Sequence, residues 1–387
     1  MHRGALPDGR ANAPEIRNTL LAHYRSWSAE GTTPVALHNS ESPDLSRHST
    51  LVCLALEALV IIAKPIMPIK LDGILLPVTT PFLANEDLDL VGLKDNLASW
   101  NGTGIVGYVL LGSTGERANL DETEYAELIE TARREVPGNL TFIVGAGQQS
   151  TRSTTHEIER AAAAGAEGVL VITPSFYRSA ITQDALIKHY LAIADASPVP
   201  VILYSMPDLT GIKIEPETAA RLSQHRNIIG MKDSSADLKT FAETVRQVPD
   251  DFALMIGNGT VFCEALQAGA RGGILAVGCA APGLCIEIYR AVQAGNIDRA
   301  KSLQNKLTPL ARAVTKTYGI GGLKTAMELA GLVGGPVRAP LQRPNEIATA
   351  EITQLLRQAN DAVNGDATGE TAFAATGASL AQPRSDA

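Results

Sequence analysis

Eight short apolar runs constrain this chain more than any other feature. They lie at residues 74–78, 106–111, 141–145, 168–172, 200–204, 228–232, 252–256 and 272–277. Each is close to continuously apolar rather than alternating, as a strand must be when both faces of its sheet are covered. Amphipathic stretches separate the runs. Two of these, 122–136 and 151–164, open directly after Asp121 and Ser150, whose side chains can accept hydrogen bonds from the free amides of a first helical turn. Alternation of strand and helix implies right-handed crossovers and a parallel sheet. Eight such units within about 220 residues predict an α/β chain closed into a (β/α)8 TIM barrel. An open, doubly wound sheet is the alternative, and it lacks the GxGxxG turn expected after its first strand.

The barrel is expected over 70–295. Further helical stretches at 296–316, 320–332 and 345–363 exceed what a barrel needs and predict a C-terminal helical subdomain over 296–363. A tail at 364–387, rich in Ala, Thr, Ser and Gly, reads as disordered. Residues 1–66 read as a disordered extension or as the product of a start upstream of the natural one, because MPIKLDGILLPVTTPF from Met67 looks like a beginning. The apolar stretch at 51–63, LVCLALEALVIIA, contains Glu57, is too short for a bilayer and lies too deep for a signal peptide. No membrane role is expected. With 33 basic against 41 acidic residues, a net charge of −8 and no basic run, no nucleic-acid partner is expected either. Cys53, Cys263, Cys279 and Cys285 form no CxxC pair and have no histidine cluster nearby. Neither a disulfide framework nor a metal site is expected, and the cytoplasm is the expected compartment.

In a TIM barrel, chemistry sits at the C-terminal ends of the strands. The sixth run, IIGMKDSS, ends in Lys232. Between apolar walls an amine is biased towards its neutral form, a nucleophile that makes an imine with a carbonyl. The alternative is a structural lysine paired with Asp233. The fifth run, VPVILYSMP, ends in Tyr204, either a proton shuttle or a core tyrosine that caps the barrel. The second run leads into GSTGE at 112–116, where backbone amides and the hydroxyls of Ser113 and Thr114 can converge on a carboxylate. Amine, phenol and carboxylate cradle together describe an imine-forming site for a keto acid.

GSTGE, the YSMP turn, GMKDSS and the late GPVRAPL segment, with GILLPVTTPF and VITPSFYR, resemble the dihydrodipicolinate synthase / N-acetylneuraminate lyase family of class I aldolases over about residues 70–360. The resemblance implies a Schiff base on Lys232, proton relay by Tyr204, and Ser113 and Thr114 holding the substrate carboxylate and joining the relay. It implies a keto acid and an aldehyde as small-molecule partners, a homotetramer built as a dimer of dimers, and no metal or organic cofactor. Two positions depart from it. Leu209 stands where the synthase branch places a carboxylate-binding arginine, and Phe176 stands where many members place a relay tyrosine from a neighbouring subunit, with Tyr177 adjacent as a candidate substitute. YSMP, GSTGE, GMKDSS, SQHRNIIG and YGIGGLK look most like 4-hydroxy-2-oxoglutarate aldolases, which cleave their substrate to pyruvate and glyoxylate. In that branch Ser234 touches the substrate. The alternatives are a dihydrodipicolinate synthase, a sugar-acid lyase or dehydratase, and a barrel that binds a keto acid without catalysis.

Overall fold

A computed structural model describes residues 69–364. The expected N-terminal extension, with Cys53 and the apolar stretch at 51–63, lies outside the described residues, as does the expected tail beyond its first residue. The apolar runs become β1 (Gly73–Pro77), β2 (Gly107–Leu110), β3 (Thr141–Ala146), β4 (Gly168–Ile172), β5 (Val201–Ser205), β6 (Ile228–Asp233), β7 (Ala253–Ile256) and β8 (Gly272–Ile274). All neighbours are parallel, and β8 pairs with β1 through Gly73↔Gly272 to Leu75↔Ile274, which closes the barrel and excludes the open sheet. The eighth strand stops before its apolar run does. At Ala276–Cys279 the chain coils into a 3-10 turn closed by Gly278 N donating to Leu275 O at 3.0 Å. Hydrophobicity alone cannot separate a strand from a buried turn.

One helix follows each strand: α1 (Leu90–Asn101), α2 (Glu122–Glu135), α3 (Thr151–Ala163), α4 (Gln183–Ala196), α5 (Pro216–Leu222), α6 (Leu238–Gln247), α7 (Phe262–Gln267) and α8 (Pro282–Gln293). The caps expected at Asp121 and Ser150 form. Asp121 accepts from Thr123 N and Glu124 N at 2.8 and 2.9 Å, while Glu124 reaches back to Asp121 N at 3.0 Å, which completes a capping box. Ser150 accepts from Ser153 N at 3.1 Å. Beyond the barrel lie α9 (Ile297–Arg312), which runs into a π turn at Ala313–Thr317, then α10 (Gly319–Leu329) and α11 (Glu346–Asn364). No helix among the described residues is long and apolar enough to cross a membrane. Cys263, Cys279 and Cys285 are buried free thiols.

Strand parity divides the core in two. Ile74, Leu76, Phe142, Val144, Val169, Val171, Val201 and Leu203 point out into the large cluster beneath the helices. The residues between them, Leu75, Ile143, Leu170 and Ile202, fill the lumen with Val109, Met255 and Ile274. Two steps on from Ile202, Tyr204 also faces inward. Register pairs Ile202 with Gly230 and Tyr204 with Lys232. The same parity turns Asp233 outward, away from the lysine beside it in sequence.

On α4, His189 is buried, with Nδ1 2.9 Å from Thr151 Oγ1 and Nε2 without a partner among the described residues. Burial pushes its pKa from 6.5 down to about 4. The folded state therefore keeps the ring neutral where the unfolded chain protonates it. The stability this contributes is complete above pH 6.5 and drains away as pH falls towards 4, by at most about 3 kcal/mol. In urea titrations, His189→Phe should lose less unfolding free energy than wild type between about pH 7 and about pH 5. Equal losses in the two proteins would remove His189 from the acid response.

Candidate active site

The C-terminal ends of β5 and β6 bring two reactive side chains to the same level. Tyr204 and Lys232 are register partners on adjacent strands, and both are buried. Lys232 Nζ lies 4.3 Å from the centre of the Tyr204 ring, over its electron-rich face. No carboxylate among the described residues pairs with this ammonium. The partner considered from sequence, Asp233, instead accepts from Ser235 N at 2.7 Å on the other side of the strand. Burial pushes the Asp233 carboxyl above its ordinary range. Lys232 thus has neither the ion pair nor the surface exposure of a structural lysine.

From β2, Ser113 Oγ lies 3.0 Å from Tyr204 Oη, an arrangement in which either hydroxyl can donate. Thr114 is buried beside it in the 3-10 turn Ser113–Gly115. The backbone around this turn is unusual. Leu111 before it and Glu116 after it are both left-handed, at φ 59° and 54°, a region that disfavours side chains with a Cβ. Thr80 Oγ1 donates to Gly115 O at 2.7 Å and anchors the turn to the end of β1.

A cleft of about 830 Å3 opens beside these groups and is lined by Ser113, Tyr204, Ile172, Leu209, Gln148 and Arg117 among others, with Lys232 tucked against the Tyr204 ring rather than on its wall. Arg117 is held in place by the buried Glu157, whose Oε1 accepts from Arg117 Nε at 2.9 Å and whose Oε2 accepts from Gly147 N at 2.8 Å. Leu209, in the helical turn Pro207–Thr210, is 60% exposed, so an apolar side chain forms the wall at that point.

Ser113, Thr114, Tyr204, Lys232 and Ser234 are gathered at one end of the barrel. Tyr177 is not. It lies 69% exposed on the loop after β4, edge-to-face with Phe176 at 5.0 Å, and neither ring lines the cleft. Gln149 Oε1 holds this loop by accepting from Ser175 N and Phe176 N.

Two features escaped the sequence reading. The first is Gly257, directly after β7. A Cβ there would stand 1.9 Å from Ser234 Oγ and 2.7 Å from Lys232 Cε, so the lysine runs through space that only a glycine leaves open. The available signal was a glycine at the end of the strand next to that of the lysine. The second is the buried pair Lys324–Glu116, with Nζ and Oε1 2.7 Å apart and both side chains fully buried. Lys324 also donates to Pro336 O at 2.6 Å and sits 4.5 Å from the centre of the Phe82 ring, against whose ring Arg338 packs as well. The sequence reading used its segment, YGIGGLK, only as a motif of resemblance and gave Lys324 no role.

Residues 70–359 match a family model described as the dihydrodipicolinate synthetase family. Among curated proteins, the chain is 35% identical over 288 residues to a 4-hydroxy-tetrahydrodipicolinate synthase of Methanospirillum hungatei, covering 74% of this chain and 98% of that one. It is 35% identical over 295 residues to the enzyme of the same name from Methanopyrus kandleri, covering 76% and 96%. Among solved structures, the dihydrodipicolinate synthase of Thermotoga maritima superposes with a TM-score of 0.71 at 30% identity, over 75% of this chain and 98% of that one. A member of the same family from Escherichia coli K12, solved in complex with pyruvate, gives a TM-score of 0.71 at 27% identity, over 75% and 99%.

Gly257→Ala should leave the fold intact while displacing Lys232. Trapping of a keto acid on the lysine should slow by about 100-fold, the scale expected for a misplacement near 1 Å. Trapping at the wild-type rate would mean that Ser234 and the lysine chain yield to the added methyl group.

Proposed function

Because this chain belongs to the dihydrodipicolinate synthetase family, it is a class I enzyme that works through a lysine Schiff base, and we propose that Lys232 is that lysine and that its substrate is pyruvate or a pyruvate-derived keto acid. The observation that carries the assignment is the geometry around Lys232: buried, paired with no carboxylate among the described residues, and set against a tyrosine that is itself hydrogen-bonded to Ser113.

The chemistry follows from that geometry. The substrate carboxylate rests on the turn at Ser113 and Thr114, which aims the keto carbon at Lys232 Nζ. The amine adds to the carbonyl, and Tyr204 with Ser113 moves the proton to the departing oxygen, which leaves as water. The protonated imine then acts as the electron sink. In the cleavage direction it accepts the electron pair of the breaking C–C bond and becomes an enamine. In the synthetic direction the enamine attacks an aldehyde. Ser234, beside Lys232 at the lumen wall, is assigned to substrate contact. Family enzymes are typically oligomers, and for this chain we assign a cytoplasmic homotetramer built as a dimer of dimers, in which the exposed Phe176 and Tyr177 are available to a neighbouring subunit.

The aldehyde divides two readings. The curated relatives bear the name 4-hydroxy-tetrahydrodipicolinate synthase, which favours condensation of pyruvate with aspartate semialdehyde. Leu209 favours a different partner, because its apolar side chain cannot pair a carboxylate where the synthase branch uses arginine. That is the ground for the second reading, cleavage of 4-hydroxy-2-oxoglutarate. The relatives give the synthase reading the greater weight.

Borohydride added with pyruvate should leave a reduced adduct that maps to Lys232 by peptide mass. Lys232→Ala should take up none, and Tyr204→Phe should lower turnover by about 100- to 10,000-fold, the range of a lost acid–base group. A folded wild-type protein that takes up no label would sink the imine assignment and favour a binding-only barrel. Efficient condensation of aspartate semialdehyde by wild type would settle the aldehyde in favour of the synthase. If it is instead a poor substrate, Leu209→Arg should raise its kcat/KM at least about tenfold, the gain of one charge-assisted contact.

A further inference from the structure

The turn at Ser113–Gly115 is bracketed by two left-handed residues that are not glycine, Leu111 and Glu116. Each such residue is strained, and persists only where its surroundings hold it. For Glu116 much of that hold comes from the far end of the chain. Its Oε1 lies 2.7 Å from Lys324 Nζ on α10, and its Oε2 accepts from Arg338 N at 3.1 Å and from Asn119 Nδ2 at 3.4 Å. Both charged side chains are fully buried, so neither can turn to water if the other leaves. The turn itself closes through two backbone hydrogen bonds, Gly115 N donating to Gly112 O at 3.0 Å and Glu116 N donating to Ser113 O at 3.2 Å. Relaxation of Glu116 out of the left-handed region would break the second link and carry Ser113 Oγ away from Tyr204 Oη.

We propose that Lys324 and Glu116 are positioning residues for the reaction: their buried ion pair holds the turn at Ser113 and Thr114 in the strained shape that receives the substrate carboxylate. This rests on the assignment of that turn as the carboxylate cradle. The pair is neutral as a unit, so its effect on the substrate is geometric rather than a matter of net field. It also gives the C-terminal helices a part in the chemistry, because Lys324 lies on α10 and meets the turn at Glu116.

The test separates positioning from stability. Lys324→Met alone strands a buried carboxylate and should unfold easily. The double variant Glu116→Gln/Lys324→Met removes both charges and keeps an acceptor for Arg338 N, so its melting temperature should return most of the way to wild type. In that double variant the pyruvate KM for imine trapping should rise on the order of 10- to 100-fold, while the rate at saturating pyruvate changes little. A double variant with restored stability and an unchanged KM overturns the proposal. If the double variant does not fold, Glu116→Asp decides, since it keeps both charges but draws the carboxylate back by one methylene: a raised KM supports positioning, and an unchanged KM overturns it. Thr114→Val in the same assay checks the cradle itself. An unchanged KM there would show that the carboxylate is held elsewhere, whatever the ion-pair variants do.

Discussion

Each strand of a closed parallel barrel must bury both faces, and the alternation of side chains along it leaves no freedom over which residues enter the lumen. In this protein that constraint sets the chemistry. With Ile202 inward, Tyr204 must be inward too, and the β5–β6 register then delivers Lys232 to the same level. Asp233, its neighbour in sequence, is sent to the opposite face. A one-residue slip of β6 would bury the aspartate in the lumen and expose the lysine to the helices, so the register of one strand pair decides whether the lumen holds an amine at Tyr204 at all.

Around that pair the site depends on what is missing as much as on what is present. Gly257 supplies the space through which Lys232 extends, and Gly230 lets β6 approach β7 so closely that a Cβ would lie 2.4 Å from Ala253 O. The opposite wall is built from tension. Two left-handed residues bracket the turn whose Ser113 lies within hydrogen-bond distance of Tyr204, and one of them, Glu116, is paired with Lys324 of the C-terminal helices. A buried lysine with no ion-pair partner among the described residues and a tightly turned loop meet at Tyr204.

The strands and the helix starts at Asp121 and Ser150 were legible in the sequence because they depend on local pattern: continuous apolar runs, and capping side chains at the expected offset. Lys232, Tyr204 and Ser113 were legible because strand ends in a barrel point to one place. What stayed hidden depends on distance in space rather than in sequence. The end of β8 could not be read, since 275–277 remain apolar while the chain turns. Gly257 is one glycine among 34 until Lys232 is seen to pass it. Lys324 resembles any lysine of an amphipathic helix until its ammonium is found against Glu116 and the ring of Phe82. The exposure of Tyr177 likewise follows from the path of the loop after β4, which no pattern of residue types records.

The contact between Glu116 and Lys324 also has a direction in time. Translation delivers residue 116 early and residue 324 only after all eight strands have been made. Synthesis therefore completes all eight strands, with Lys232 and Tyr204 among them, before it reaches the lysine that pairs with Glu116. Until then Glu116 lacks the ion-pair partner that meets it in the folded chain. On the proposed role of that pair, the C-terminal helices are the last part of the binding site to be made.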